Sequence, residues 1–357
     1  MSLAPTAPPA NDTEPTGPDT GPTTGKTPRK MELVCPAGTM TALKTAAEAG
    51  ADAIYFGFRD RTNARNFPGL NFTAAEAEEA VALCKAKGVN PMVAVNTYPV
   101  AGHEKLWHDA VDTVARIGAH AIIVADIGLA AYVAEKHPDL RLHLSVQASA
   151  SNPEAVAYYA ETFGVQRVVL PRVFSLEEIR DITAAVAPVE TEVFVFGGLC
   201  VMAEGRCSLS AYVTGCSPNK DGACSPASSV RYVQQDDVLI SKLGDYTINR
   251  FEADEDAGYP TLCKGRYVVN GEEMYLFEDP ASLDATPILG ELAEAGVAAL
   301  KVEGRQRGKA YVQAVVGSLR QSIDSLASGA ATPSDDKATA FMEGLKRTQG
   351  VYRRDWR

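Results

Sequence analysis

The chain has 357 residues, with 34 basic against 45 acidic side chains (formal net charge -11), 46% hydrophobic and 22% charged. That is the make-up of a globular protein with a large core in one or two domains. The acidic balance argues against a surface built for nucleic acid. No apolar run reaches the roughly 18–20 residues of a spanning helix, and the N-terminus lacks a signal-peptide pattern, so a reducing cytoplasm is the expected location.

Residues 1–30 are dominated by Pro, Thr, Ala and Gly. They hold too few large apolar side chains to offset the entropy of ordering, and a disordered tail is expected there. From Met31 onward, short apolar runs predict strands over 31–35, 51–57, 90–97, 119–126, 141–148, 165–171 and 191–197. Amphipathic stretches between them, such as TALKTAAEAG and SLEEIRDITAAVA, read as helices, several closing on Gly. Asn152 before Pro153, and Ser175 three residues before Glu178, mark helix starts. An eighth strand within 295–304 and a helix around 311–327 follow a long insertion.

Near-continuous Val/Ile/Leu strands alternating with amphipathic helices indicate a covered parallel sheet. Eight repeats, with no GxGxxG after the first strand, favour a (β/α)8 barrel over an open doubly wound sheet. The expected organisation is a tail at 1–30, seven β/α units over 31–197 and a cysteine-rich insertion over 198–290. The last strand and helix then occupy 291–328, and a C-terminal extension 329–357. The insertion should contain short strands, RYVVNGEEMYLFE among them, with Asn270-Gly271 as a hairpin turn.

In such a barrel the active site forms at the C-terminal strand ends. The polar residues there are Asn96, Asp126, Ser145, Gln147, Ser149, Arg172, Lys301, Glu303 and Arg305, with Arg65 and Asn71 in the loop NARNFPGLNF after the second strand. Cations and amides at one mouth suit an anionic organic substrate, held by bidentate Arg–carboxylate contacts. Helix capping and surface ion pairing would account for the same residues one at a time. All five histidines lie in the first half; His143, between Leu142 and Leu144, reads as structural. No HExxH, GxSxG or Walker sequence occurs, so a hydrolase with a histidine base has no signal, and no single catalytic residue stands out.

Five of the seven cysteines fall between Cys200 and Cys263. Cysteine packs only as a small hydrophobe, so this concentration points to a metal site. Cys200, Cys207, Cys224 and Cys263 are separated by six, sixteen and thirty-eight residues, unlike the close pairs of zinc knuckles. Four thiolates from separated loops suit a [4Fe–4S] cluster, and the spacing leaves zinc and buried free thiols open beside it. Cys35 and Cys84 read as packing residues, with a place near the barrel axis open for Cys35.

The run Glu192-x-Phe194-x-x-Gly197-Gly198-Leu199-Cys200, followed by Gly205-x-Cys207-x-Leu209-Ser210, resembles the signature of peptidase family U32. That family usually carries Ser or Ala where this chain has Gly198, an exchange expected to leave the thiolates untouched. Within the family the resemblance is closest to the UbiU-like members of ubiquinone biosynthesis, colinear from MELVCPAG at Met31 to the closing GVYRRDWR. It implies a [4Fe–4S] cluster on Cys200, Cys207, Cys224 and Cys263, with Cys216 a bystander. It also implies a heterodimer with a UbiV-like partner, cooperation with a UbiT-like lipid-carrier protein, and O2-independent hydroxylation of a quinone precursor with prephenate as hydroxyl donor. Prephenate is a dicarboxylate and suits the cationic mouth; its anchors are expected among Arg65, Arg172, Lys301 and Arg305.

Three other readings stand beside this one. Some members of the family resemble RNA hydroxylases, against which the charge of -11 argues. The family name implies a peptidase, although no histidine lies near the cysteines in sequence. A zinc-stabilised binding scaffold is the third.

Overall fold

Apolar on both faces, the predicted strands have no polar side to leave in water and must be covered inside and out. The computed structural model describes residues 31–202, 207–218, 222–330, 338–342 and 346–353; the tail expected over 1–30 and parts of the C-terminal extension lie outside these. Seven strands follow in chain order: β1 Glu32–Pro36, β2 Ala53–Gly57, β3 Asn90–Val95, β4 Ala121–Val124, β5 Arg141–Leu144, β6 Arg167–Val169 and β7 Glu190–Gly198. Each pairs parallel with the next. The eighth barrel strand, Ala299–Val302, pairs parallel with β1 on one side and β7 on the other, so the sheet closes into the expected (β/α)8 barrel.

Local chemistry sets the element ends. Asn152 accepts a hydrogen bond from the Ala155 amide to start helix Pro153–Phe163, and Ser175 with Glu178 forms a reciprocal capping box on Leu176–Ala185. The run predicted as strand over 141–148 stops at Leu144, where Ser145 accepts from the Gln147 amide and turns Val146–Ala148 into a 3-10 helix. A hydroxyl that bonds its own backbone competes with the sheet ladder.

At Gly198 the chain leaves the barrel for an insertion. It builds a three-stranded antiparallel sheet (Val230–Gln235, Val238–Leu243, Tyr246–Phe251) and a hairpin (Arg266–Val269, Glu272–Tyr275). The hairpin turns on Asn270-Gly271, both at positive φ (54° and 87°). Ser282–Asp284 then runs antiparallel to β7, and helix Leu289–Glu294 leads into the eighth barrel strand. No helix among the described residues is long and apolar enough to cross a membrane.

Small and apolar residues such as Val34, Ala53, Met92 and Ala121 fill one side of the barrel interior. Charge fills the other. Arg167 pairs with Glu32 (2.6 Å), Glu190 (2.7 Å) and Glu192 (3.2 Å), and Lys301 Nζ lies 2.5 Å from Glu192 Oε1. His143, buried, accepts at Nε2 from Arg141 Nε (2.9 Å), a structural role. Cys35 faces the layer between barrel and helices, not the barrel axis, because its neighbour Val34 takes the inward position on the pleat.

Burial alone would raise the Glu192 carboxyl, but Lys301 and Arg167 overcome it and hold the group below the usual carboxylate range. Its contribution to stability is therefore present above that range and is lost as pH falls through the lowered folded value. Arg167→Met strips the buried Glu192 and the half-buried Glu32 and Glu190 of a shared cation and is expected to cost about 3–5 kcal/mol in denaturant unfolding at neutral pH. The deficit should narrow as acid neutralises those carboxylates; a deficit flat with pH would contradict the ionic origin.

Candidate active site

The strand ends open on one cavity of about 110 Å³. That holds on the order of ten water-sized positions, room for a small organic molecule. Arg65, Asn96, Gln147, Arg172, Lys301, Glu303 and Arg305 all line it. Ser145 joins them, through a 3.4 Å bond to the Asn96 amide. Asp126 instead caps helix Ile127–Lys136, accepting from the Leu129 amide at 3.0 Å. Asn71 stands behind the wall, where its amide donates to the Arg65 carbonyl (2.9 Å). Ser149 is a left-handed turn residue that ends the 3-10 helix.

Each cavity side chain is held by specific neighbours. The Arg305 guanidinium donates to Asn63 Oδ1 and to the Ala64 carbonyl, and Asn96 Oδ1 accepts from the Ala64 amide (3.0 Å). Asn96 Nδ2 also donates to Gln147 Oε1 (2.6 Å), which fixes both amides. Arg172 lies over the Phe194 ring (4.3 Å to its centroid) and donates to the Gly198 carbonyl. Lys301 lies over the Tyr55 ring at 4.0 Å, and the Tyr55 hydroxyl donates to the Val302 carbonyl (2.9 Å).

Glu303 Oε1 is 3.9 Å from Arg65 Nε. Burial would raise its carboxyl, but Arg65, Arg172 and Arg307 outweigh burial and keep it below the usual range, so it is ionised at neutral pH. Burial lowers Arg305 to about 10, which leaves the guanidinium charged at neutral pH. The mouth is therefore a cradle of cations partly balanced by Glu303 and Glu192, suited to an anion small enough to enter.

Cys200, Cys207 and Cys224 line the same cavity. Cys207 caps helix Ser208–Thr214, its Sγ accepting from the Ser210 amide (3.4 Å), and the Ser210 hydroxyl donates to the Cys224 carbonyl. Cys263 is close enough to feel its fellows: burial, then Cys200, Cys224 and Cys207, push its thiol up to about 12. Cys216 does not line the cavity, and its amide donates to Thr214 Oγ1 (3.1 Å). Among the described residues no three His, Cys, Asp or Glu side chains stand ready in a coordination geometry. The thiols are neighbours around a common space, and the donor set consists of soft sulfur alone.

The sequence-based reading missed Tyr55 and Phe194 as parts of the cavity wall and Glu192 as the buried partner of Lys301. Their signal was faint: a polar or aromatic residue at an inward position of an otherwise apolar strand, visible only once the pleat register is known.

The family model described as Peptidase family U32 matches residues 38–354. The Escherichia coli (strain K12) tRNA hydroxylation protein P is 33% identical over 350 residues, covering 91% of this chain and 75% of that protein. The collagenase of Porphyromonas gingivalis is 29% identical over 309 residues, covering 84% of this chain and 67% of that protein. The Escherichia coli 23S rRNA 5-hydroxycytidine C2501 synthase is 28% identical over 300 residues, covering 83% of this chain and 40% of that protein.

The two glycines before Cys200 differ sharply in what they tolerate. Gly197 has φ 121°, and a Cβ there would lie 2.7 Å from Glu303 Cβ, whereas at Gly198 it would make an ordinary 3.7 Å contact with Glu303 Oε2. Gly197→Ala is expected to cost about 1–3 kcal/mol in denaturant unfolding, and Gly198→Ala to stay within about 0.5 kcal/mol. Equal effects would contradict the close approach of Glu303 to Gly197.

Proposed function

The chain belongs to peptidase family U32, and from that premise we propose that it is an iron–sulfur enzyme of O2-independent ring hydroxylation, acting on a quinone precursor. The observation that carries the reading is a shared cavity: Cys200, Cys207 and Cys224 open on the same space as the cations of the strand ends. A thiol set placed beside an anion cradle joins a redox-capable donor group to a substrate pocket.

Four thiols with no harder donor among them fit a [4Fe–4S] cluster, to be held by Cys200, Cys207, Cys224 and Cys263. When bound, such a cluster supplies electron transfer at the cavity wall. The chain's own residues hold the oxygen donor. Arg65, Arg172, Lys301 and Arg305 receive the two carboxylates of prephenate, Asn96 and Gln147 orient it, and Glu192 and Glu303 keep the cations in place. A UbiV-like heterodimer partner and a UbiT-like lipid carrier, which brings the quinone precursor, complete the reading through the family resemblance.

A second reading, hydroxylation of an RNA base, draws on the names of the Escherichia coli relatives. The same cavity would then take the base, while the formal charge of -11 weakens the case for an RNA surface. A peptidase, as the collagenase relative suggests, needs a base beside its thiol, and no histidine is among the described residues lining the cavity.

Two measurements test the proposal. Protein purified without oxygen should carry about four irons and as many acid-labile sulfides per chain. Both should be lost on Cys→Ala substitution at 200, 207, 224 or 263 and kept in Cys216→Ala; about one zinc in colourless protein would favour the scaffold reading. In anaerobically grown cells lacking the gene, mass spectrometry should show unhydroxylated quinone precursors accumulating and hydroxylated nucleosides unchanged. The reverse pattern would transfer the assignment to RNA.

A further inference from the structure

We infer that the backbone contact between Arg65 and Gly222 is the joint through which the cysteine segment sets the position of the Arg65 guanidinium, and so the shape of the anion cradle. The inference deepens the proposed function and rests on it for the identity of the metal group and the ligand.

Arg65 belongs to two structures at once. Its guanidinium lines the cavity, 3.9 Å from Glu303. Its amide donates to the Gly222 carbonyl (2.9 Å), and its guanidinium reaches the same oxygen at 3.4 Å. Gly222 precedes Cys224 by two residues and is 157 positions away from Arg65 in sequence. A Cβ on Gly222 would fall 2.8 Å from Ala64 Cα and 3.0 Å from the Arg65 amide nitrogen, at a φ of 77° that already favours glycine. The two backbones touch with no room for a side chain between them.

Arg65 itself has φ 72°, a left-handed conformation that a non-glycine residue keeps only when its surroundings impose it. Its backbone is held on both sides: the amide donates to the Gly222 carbonyl, and the carbonyl accepts from the Asn71 side-chain amide and the Phe67 amide. The neighbouring Asn63 and Ala64 are bound separately, to Arg305 and Asn96 of the barrel. If the segment holding Cys224 shifts, Arg65 loses the bond that fixes the amide side of its left-handed backbone, while the barrel keeps its grip on Asn63 and Ala64. The guanidinium then leaves the cradle, and the response is local to it. Since coupling between two sites is reciprocal, an anion in the cradle also holds the cysteine segment in place.

The test compares iron-loaded with iron-stripped wild-type protein. Hydrogen exchange at the Arg65 amide should be about tenfold faster after stripping, and calorimetry should show prephenate binding about tenfold more weakly, a usual size for coupling between sites. Saturating prephenate should in turn slow iron loss to a chelator. Gly222→Ala with full iron should bind prephenate as weakly as stripped protein. Arg65→Gly, which relieves the strain and keeps the amide, should retain slow exchange yet lose affinity, with Arg65→Lys restoring part of it. Exchange and affinity that are the same in loaded and stripped protein would overturn the inference, as would a fully loaded Gly222→Ala protein that binds like wild type. Failure of prephenate to bind loaded wild type would instead sink the functional reading, and the exchange comparison would still decide whether the joint responds to the metal.

Discussion

Glu192 is fully buried inside the barrel, with Arg167 on one side and Lys301 on the other. A carboxylate in that position is costly to desolvate and survives only because two cations compensate it. The same contact joins β6, β7 and the eighth barrel strand, which the chain supplies only after an insertion of many residues. Lys301 is thereby drawn onto the cavity floor against Tyr55, and the sites above depend on that placement. Arg141 and Arg167 share Glu190 near the opposite end of the strands, so the ionic ladder runs from the barrel bottom up to the cavity.

Barrel closure explains why thiols and cations meet. β7 ends at Gly198, two residues before Cys200, and pairs directly with the strand that carries Lys301. The positive φ of Gly197 lets the backbones of β7 and Glu303 approach closely, and the Gly198 carbonyl holds Arg172. The insertion folds back over the mouth and touches the loop after β2 at Gly222 and Arg65. Residues far apart in sequence thus share one wall because the barrel provides a rim on which the insertion rests.

The eightfold repeat was legible because most strands are near-continuously apolar and several helices carry their own cap, as Asn152 and Ser175 show. Strand-end position alone brought Arg65, Asn96, Gln147, Arg172, Lys301, Glu303 and Arg305 into view as a group, and they share the cavity. The same rule also selected Asp126, which caps a helix, because position along a strand does not say where a side chain points. Tyr55 and Glu192 needed the pleat register, which only the closed sheet supplies. The sheet over 230–251 was hard to see because its first strand is exposed nearly throughout and lacks apolar alternation. The cysteine cluster was visible as a count, while its nearness to the cavity depends on a contact spanning 157 residues.

Whether the thiols and the cradle work as one site is most directly read by electron paramagnetic resonance of the anaerobically reduced protein during titration with prephenate. A cluster on the cavity wall should give a spectrum whose g-values shift saturably, with the same midpoint that calorimetry gives for binding. An unchanged spectrum at concentrations where calorimetry shows the ligand bound would separate the metal from the cradle and contradict the shared site.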